Sequence, residues 1–216
     1  MEKQLYTHLL WDFNGTVYDD LEACRRSVNR MLAERGLPVL SVEAYREVFD
    51  FPVKDYYARV GFDFDREPFE VLAPIWVALY GEASRESRIF AGVREAMARL
   101  RERGIRQEIL SATEATMLRR QVSELGLDEA VDAVWGTETI HAAGKESLAL
   151  AWREAHPRAR VLFVGDTTHD AAVAAAMGAD CVLFDGGHMS RTRLQACGCP
   201  IIHAFSELLD LPGIRR

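Results

Sequence analysis

The stretch "ARVLFVGD", residues 159–166, constrains this chain more than any other. Val161 to Val164 are apolar without a break, and a Gly-Asp pair closes the run. A strand with one wet face alternates apolar and polar residues, whereas a strand covered on both faces does not. The stretch therefore reads as a central strand of a parallel sheet with a carboxylate at its end. Similar runs occur at "THLLWDF" (7–13), "IRQEILSAT" (105–113), "VDAVWG" (131–136), "ADCVLFDG" (179–186) and "CPIIHAF" (199–205). In the second of these, Ile105, Ile109 and Leu110 favour a strand, while Gln107 and Glu108 do not.

Helix-like segments separate these runs. Residues 92–103 carry Val93, Ala96, Met97 and Leu100 at helical spacing and stop at Gly104. Residues 114–125 carry Met117, Leu118, Val122 and Leu125 and close at Gly126. A third segment, 145–155, ends before His156-Pro157, and the alanine-rich 170–177 ends at Gly178. Glycine suits the left-handed residue that closes many helices. Repeated strand–helix–strand order predicts an α/β fold with a doubly wound parallel sheet, whose catalytic groups gather at the carboxyl ends of the strands.

Residues 18–88 break the rhythm, with no convincing strand. Helices are expected over 20–35, from an Ser41 N-cap through Phe49, near 52–60, and over 67–82. Pro68 is tolerated in the first turn of the last one, and Pro74 is expected to kink or divide it. The division expected is an α/β core from 1–17 and 89–216, with an inserted all-helical cap at 18–88.

With 216 residues and a net charge of −7, the chain is long enough for one sizeable core and has no basic run to neutralise phosphates. Nucleic acid is excluded as a partner; "RRSVNR" and "RLRERGIR" read as solvated helix faces. Cys24, Cys181, Cys197 and Cys199 are too irregularly spaced for a disulfide framework or a zinc site. The amino terminus lacks a signal-like apolar stretch, and no run is long enough to span a membrane. A cytoplasmic protein without membrane contact is the expectation.

Four features fall where such a sheet would bring them together: Asp12 after the first strand, Ser111 at the end of the second, Lys145 opening a later helix, and Asp166 with Asp170 in "GDTTHD". A carboxylate attacking a phosphate monoester meets a like-charged dianion, so a cation must bridge them. Asp12 and Asp166 can hold Mg²⁺, a hard ion that favours oxygen ligands. Lys145 adds a positive charge, Ser111 a hydroxyl donor, and the backbone around Phe13 and Gly15 further donors. Asp12 is then placed to form an aspartyl-phosphate.

These residues resemble the haloacid dehalogenase-like hydrolase superfamily, in its phosphoglycolate phosphatase-like branch. "LLWDFNGTV" is similar to that family's first motif, "ILSAT" to its second, Lys145 to its third and "VGDTTHD" to its fourth. The resemblance implies a Rossmann-like core with a helical cap and phosphatase activity on a small phosphorylated metabolite. It implies Asp12 as nucleophile and Ser111 and Lys145 as phosphoryl-binding groups, with Phe13, Gly15 and Ala112 beside the substrate. It also implies that Asp12, the Asn14 backbone carbonyl and Asp166 hold Mg²⁺, supported by Asp170.

One position departs from that pattern. Where these phosphatases usually carry an aspartate that shuttles the proton, this chain has Asn14. General acid–base catalysis contributes about 10²–10⁴-fold, so slow turnover on poor leaving groups is expected. His169 is the nearest replacement base by sequence, His141 a weaker one, and His188 reads as structural in a glycine-rich loop. Phe51, Lys54, Tyr56 and Tyr57 are candidate substrate contacts on the cap. Two alternative readings accompany the main one. One is a catalytically impaired binding or regulatory protein of the same fold. The other is a phosphonoacetaldehyde hydrolase-like C–P hydrolase in which Lys54 forms a Schiff base.

Overall fold

The computed structural model of the chain describes residues 6–138 and 145–214. Strand β1 (His8–Trp11) is followed by β2 (Tyr18–Asp19) and four helices: α1 (Leu21–Glu34), α2 (Val42–Val48), α3 (Val53–Arg59) and α4 (Phe69–Ala83). Strand β3 (Arg88–Ile89) returns the chain to helix α5 (Val93–Glu102), β4 (Arg106–Glu114), α6 (Ala115–Glu124) and β5 (Ala133–Thr137). The remainder is α7 (Lys145–Ala155), β6 (Val161–Gly165), α8 (Thr168–Ala176), β7 (Asp180–Phe184), α9 (Arg191–Gln195) and β8 (Ile201–Ile202).

Among the described residues, six strands form one sheet in the order β5-β4-β1-β6-β7-β8, each pair parallel. The chain builds one side through β4 and β5, then crosses to β6 and builds the other. The order reverses at β1, so the carboxyl ends of β4, β1 and β6 meet at the switch point, where open α/β sheets bind ligands.

Period-two alternation sorts the strand side chains into two cores. Leu9, Trp11, Ile109, Leu162 and Val164 pack on one face with Met97 and Leu100 of α5 and with Phe205. Leu10, Leu110, Val161 and Phe163 pack on the other with Ala149 and Trp152 of α7 and Val173 of α8. Each large side chain so buried contributes roughly 1.5–3 kcal/mol. Gln107 and Glu108 are tolerated inside β4 because both are satisfied. Gln107 accepts from the Trp11 indole at 3.2 Å and donates to the Met97 carbonyl at 2.7 Å. Oε2 of Glu108 accepts from the Trp135 and Trp152 indoles at 2.6 and 2.8 Å.

The four helices α1–α4 enclose a separate apolar cluster that includes Leu21, Val28, Met31, Tyr45, Tyr57 and Leu72. Ser41 caps α2 as its type predicts, accepting from the Ala44 N–H at 3.1 Å. Of the two outcomes expected at Pro74, a kink or a division, division is the one that fails: α4 runs through it undivided. A mid-helix proline costs about 3 kcal/mol, and the burial of Leu72 and Tyr80, with Ile75, Trp76 and Leu79 packed beside them, outweighs that. The segment is also not strand-free: Tyr18 pairs with Ile89 and Asp19 with Arg88, antiparallel, where the chain leaves and rejoins the sheet. Two residues are too few to show alternation. No described helix is long and apolar enough to cross a membrane.

Candidate active site

Strand β1 delivers Asp12 to the carboxyl edge of the sheet. The Asp12 N–H donates to the Val164 carbonyl at 2.8 Å, so pairing with β6 continues one residue beyond Trp11. That register sets Asp12 beside the end of β6, where Gly165 leads into Asp166. The chain then turns tightly, the Phe13 carbonyl accepting from the N–H groups of Thr16, Val17 and Tyr18 at 3.3, 2.9 and 2.8 Å. Gly15, in this turn, has φ +76°, and a Cβ there would lie 2.3 Å from Oδ2 of Asp166 and 2.4 Å from the His188 ring. Only glycine fits so close to both groups.

Asp12, Asp166 and Asp170 are buried together, each offering a carboxylate oxygen within 4.8 Å of the others. Lys145, at the first position of α7, ion-pairs with Oδ1 of Asp12 and with Oδ1 of Asp170, the latter at 2.5 Å. Burial opposes the lysine's charge, but the two carboxylates outweigh it and raise its pKa. The Asp12 pKa is raised well above the carboxylate range by burial, with Asp170 and Asp166 adding repulsion that Lys145 only partly offsets. Asp166 is pushed up to about 6, chiefly by burial. Three carboxylates share one ammonium here, leaving a surplus of negative charge that a cation would relieve.

The supporting bonds divide the roles. Oδ2 of Asp170 accepts from the Asp166 N–H at 3.1 Å, the Thr167 N–H at 2.9 Å and the Thr167 hydroxyl at 2.7 Å, closing the capping box of α8. Asp170 thus holds the loop and Lys145 with both oxygens. Asp166 accepts from the Thr16 hydroxyl at 3.0 Å and the His188 N–H at 2.6 Å.

Asn14 is fully engaged. Its amide nitrogen donates to Oδ2 of Asp20 at 2.7 Å and to the Tyr80 hydroxyl at 3.0 Å, and its carbonyl accepts from the Thr113 hydroxyl at 2.7 Å. Thr113 in turn accepts from Ser111 Oγ at 3.1 Å, so the second motif is wired to the first. Asp20 also accepts from the Tyr80 hydroxyl, the Gly15 N–H at 2.9 Å and the His188 ring at 3.2 Å. Burial would raise the Asp20 pKa, but His188, Tyr80 and Asn14 hold it below the usual carboxylate range. Burial likewise works against a charged His188, yet Asp20 lifts its pKa to about 9. The second ring nitrogen of His188 meets the Tyr45 hydroxyl at 3.1 Å. Tyr45 of α2 and Tyr80 of α4 thus tie the helical module to the sheet edge.

Several predicted residues lie elsewhere. His188, read as structural, is 3% exposed and bridges Asp166, Asp20 and Tyr45. The His169 ring lies tilted by 31° against Phe51, centroids 4.9 Å apart, and makes no hydrogen bond to the cluster among the described residues. Tyr56 and Tyr57 are buried inside the helical module, so they are core and not lining. Lys54 is exposed on α3 with its ammonium over the Phe64 ring at 5.4 Å. Phe13 is buried, stacked on Tyr18, and the Gly15 N–H is spent on Tyr18 and Asp20. Ala112 is exposed next to buried Ser111, its carbonyl accepting from Thr137 at 3.1 Å. His141 lies outside the described residues. Asp20, Tyr80 and Thr113 join the site through contacts that no motif in the sequence marks.

Residues 9–184 match the family described as haloacid dehalogenase-like hydrolase. A phosphoglycolate phosphatase from Synechococcus elongatus is 25% identical over 204 residues, covering 94% of this chain and 95% of that protein. The tyrosine-protein kinase PtkA of Mycobacterium tuberculosis is 25% identical over 183 residues, 83% of this chain and 62% of its own length. Among solved structures, a haloacid dehalogenase-like family hydrolase from Streptococcus pneumoniae superposes with a TM-score of 0.82 at 18% identity, over 95% of this chain and 97% of that one. The family match spans most of the sheet and the whole Asp12–Lys145–Asp166–Asp170 cluster, and the chain belongs to the haloacid dehalogenase-like hydrolase family.

Proposed function

We propose that the chain is a Mg²⁺-dependent phosphoric monoester hydrolase, phosphoglycolate phosphatase-like, acting on a small phosphorylated metabolite through an aspartyl-phosphate. The buried cluster of Asp12, Asp166, Asp170 and Lys145 at the carboxyl edge of the sheet carries the reading. Relatives named phosphoglycolate phosphatase support it at low identity.

The donor set fits a hard cation, because crowded carboxylates with raised pKa values are a site that positive charge stabilises. Asp12, Asp166 and the Asn14 backbone carbonyl would hold Mg²⁺, with Asp170 as support through its bonds to Lys145 and the Asp166 loop. When bound, the ion supplies charge that neutralises the phosphoryl oxygens. Lys145 and the Ser111 hydroxyl orient the phosphoryl group. A carboxylate oxygen of Asp12 forms the new bond to phosphorus. The departing ester oxygen leaves with its bonding electrons and takes a proton from solvent. Water then cleaves the acyl phosphate, freeing Asp12 and inorganic phosphate.

Residues 18–88 act in this reading as a cap, with the core at 1–17 and 89–216. The side chain of Asn14 carries no titratable proton, so esters with good leaving groups are favoured. Phosphate release from p-nitrophenyl phosphate and from a panel of small phosphate esters tests the proposal, with and without Mg²⁺. Mg²⁺-dependent release abolished by Asp12→Asn is expected; no release from any ester, or release unchanged in that variant, would overturn it.

A further inference from the structure

The elements that carry Asp12, Ser111 and Lys145 at one edge of the sheet carry a second cluster at the other. His8 opens β1, Glu108 lies in β4, and His156 follows the carboxyl end of α7. Their ligating atoms all lie within 4.8 Å of one another. Because the strands are parallel, this cluster sits at the amino-terminal edge, opposite the candidate active site.

Each side chain is held as a metal ligand is held. His156 Nδ1 lies 2.9 Å from the Trp152 carbonyl, which can only accept, so Nδ1 carries the proton and Nε2 keeps its lone pair. His8 Nδ1 lies 2.9 Å from the Thr7 hydroxyl, a contact that a proton on Nδ1 satisfies when the hydroxyl passes its own proton to the Arg160 carbonyl at 3.3 Å. In that tautomer Nε2 keeps its lone pair. That Nε2 is buried with no hydrogen-bond partner among the described residues, a costly state for a polar atom in an apolar surround. Glu108, buried, is fixed by the Trp135 and Trp152 indoles. Outer partners that set the tautomer of a histidine and the orientation of a carboxylate are what metal sites use. The His8 ring stands edge-on to Trp152, and the His156 ring stacks on it at 4.3 Å, so aromatic surface walls the cluster.

We propose that His8, Glu108 and His156 form a binding site for a borderline-soft divalent cation such as Zn²⁺, distinct in chemistry and place from the carboxylate cluster around Asp12. Two imidazoles and one carboxylate suit Zn²⁺ and leave a coordination position open, whereas Mg²⁺ prefers an all-oxygen set. The ion would pin α7 to β1 and β4 at the end away from Lys145.

Zn²⁺ titrated into the full-length protein in millimolar Mg²⁺ tests this by calorimetry. One equivalent of Zn²⁺ is expected to bind, with affinity reduced at least about tenfold in His8→Gln and in His156→Gln. Zinc-edge X-ray absorption on the wild-type protein should report two imidazoles and no sulfur, a readout that needs no variant to fold. Absence of Zn²⁺ binding in Mg²⁺ would overturn the proposal. So would unchanged affinity in both folded variants. Sulfur in the coordination sphere would place the ion at a cysteine instead, at Cys24 beside Asp20 and His188 or at the neighbouring Cys181 and Cys199, and equally overturn it.

Discussion

The amide nitrogen of Asn14 lies 2.7 Å from a carboxylate oxygen of Asp20, and the Tyr80 hydroxyl donates to that same oxygen at 2.7 Å. The position is built for an amide. Its nitrogen supplies two protons, one to Asp20 and one to Tyr80, while its oxygen takes one from Thr113. A carboxylate at 14 has no proton to give Asp20 unless one of the two is neutralised.

Asn14→Asp is therefore expected to destabilise the fold by about 2–3 kcal/mol, the scale of a lost hydrogen bond to a charged group. Combining it with Asp20→Asn restores one carboxylate and one amide to the pair. Thermal or denaturant unfolding of the wild type, both single variants and the double should give a coupling of at least about 1 kcal/mol. Additive effects would show that the two side chains do not depend on each other.

The carboxylate surplus predicts a metal effect on stability that needs no substrate. If Mg²⁺ binds the folded cluster and not the unfolded chain, the melting temperature rises with its concentration. Asp166→Asn, which removes a charge from the cluster, should lose most of that rise. A Mg²⁺ shift of equal size in this variant would place the ion elsewhere.

Much of the α/β order was legible because it rests on short-range signals: a continuous apolar run such as Val161–Val164, and glycines closing the helices. The motif residues were legible too, since each sits next to a strand end or helix start. The pairings were not. His188 and Asp20 are 168 positions apart, and Tyr80 reaches Asp20 across 60, so no local spacing announces either contact. Glu108 argued against a strand until the two indoles that satisfy it were in place. Tyr56 and Tyr57 read as candidate substrate contacts, and only packing assigns them to the module's core.

Lys145→Met keeps the length of the stem and removes the charge that faces Asp12 and Asp170. Stranding buried carboxylates without their partner costs about 3–5 kcal/mol. Unfolding at neutral pH without metal should show a loss of that size, partly recovered on adding Mg²⁺ if the ion occupies the same cluster. A loss below about 1 kcal/mol would mean that the ion pairs contribute little to the fold.

Two tyrosines of the helical module give the sharpest contrast. The Tyr80 hydroxyl donates to Asp20 and accepts from Asn14, while its ring stacks on Trp76 at 4.8 Å. The Tyr56 hydroxyl is buried with no hydrogen-bond partner among the described residues. Tyr80→Phe keeps the stacking and takes a donor from a buried carboxylate, so it should cost about 1.5–3 kcal/mol. Tyr56→Phe removes a group that lost its water on folding and gained nothing, so it should be neutral or stabilising. Both are read from the same denaturant titration, with the m-value as a check that the unfolded state is unchanged. Equal losses in the two variants would mean that the Asp20 network adds nothing beyond ordinary packing. A stability gain from Tyr56→Phe beside a loss from Tyr80→Phe would locate the module's attachment in the hydroxyl that reaches Asn14 and Asp20.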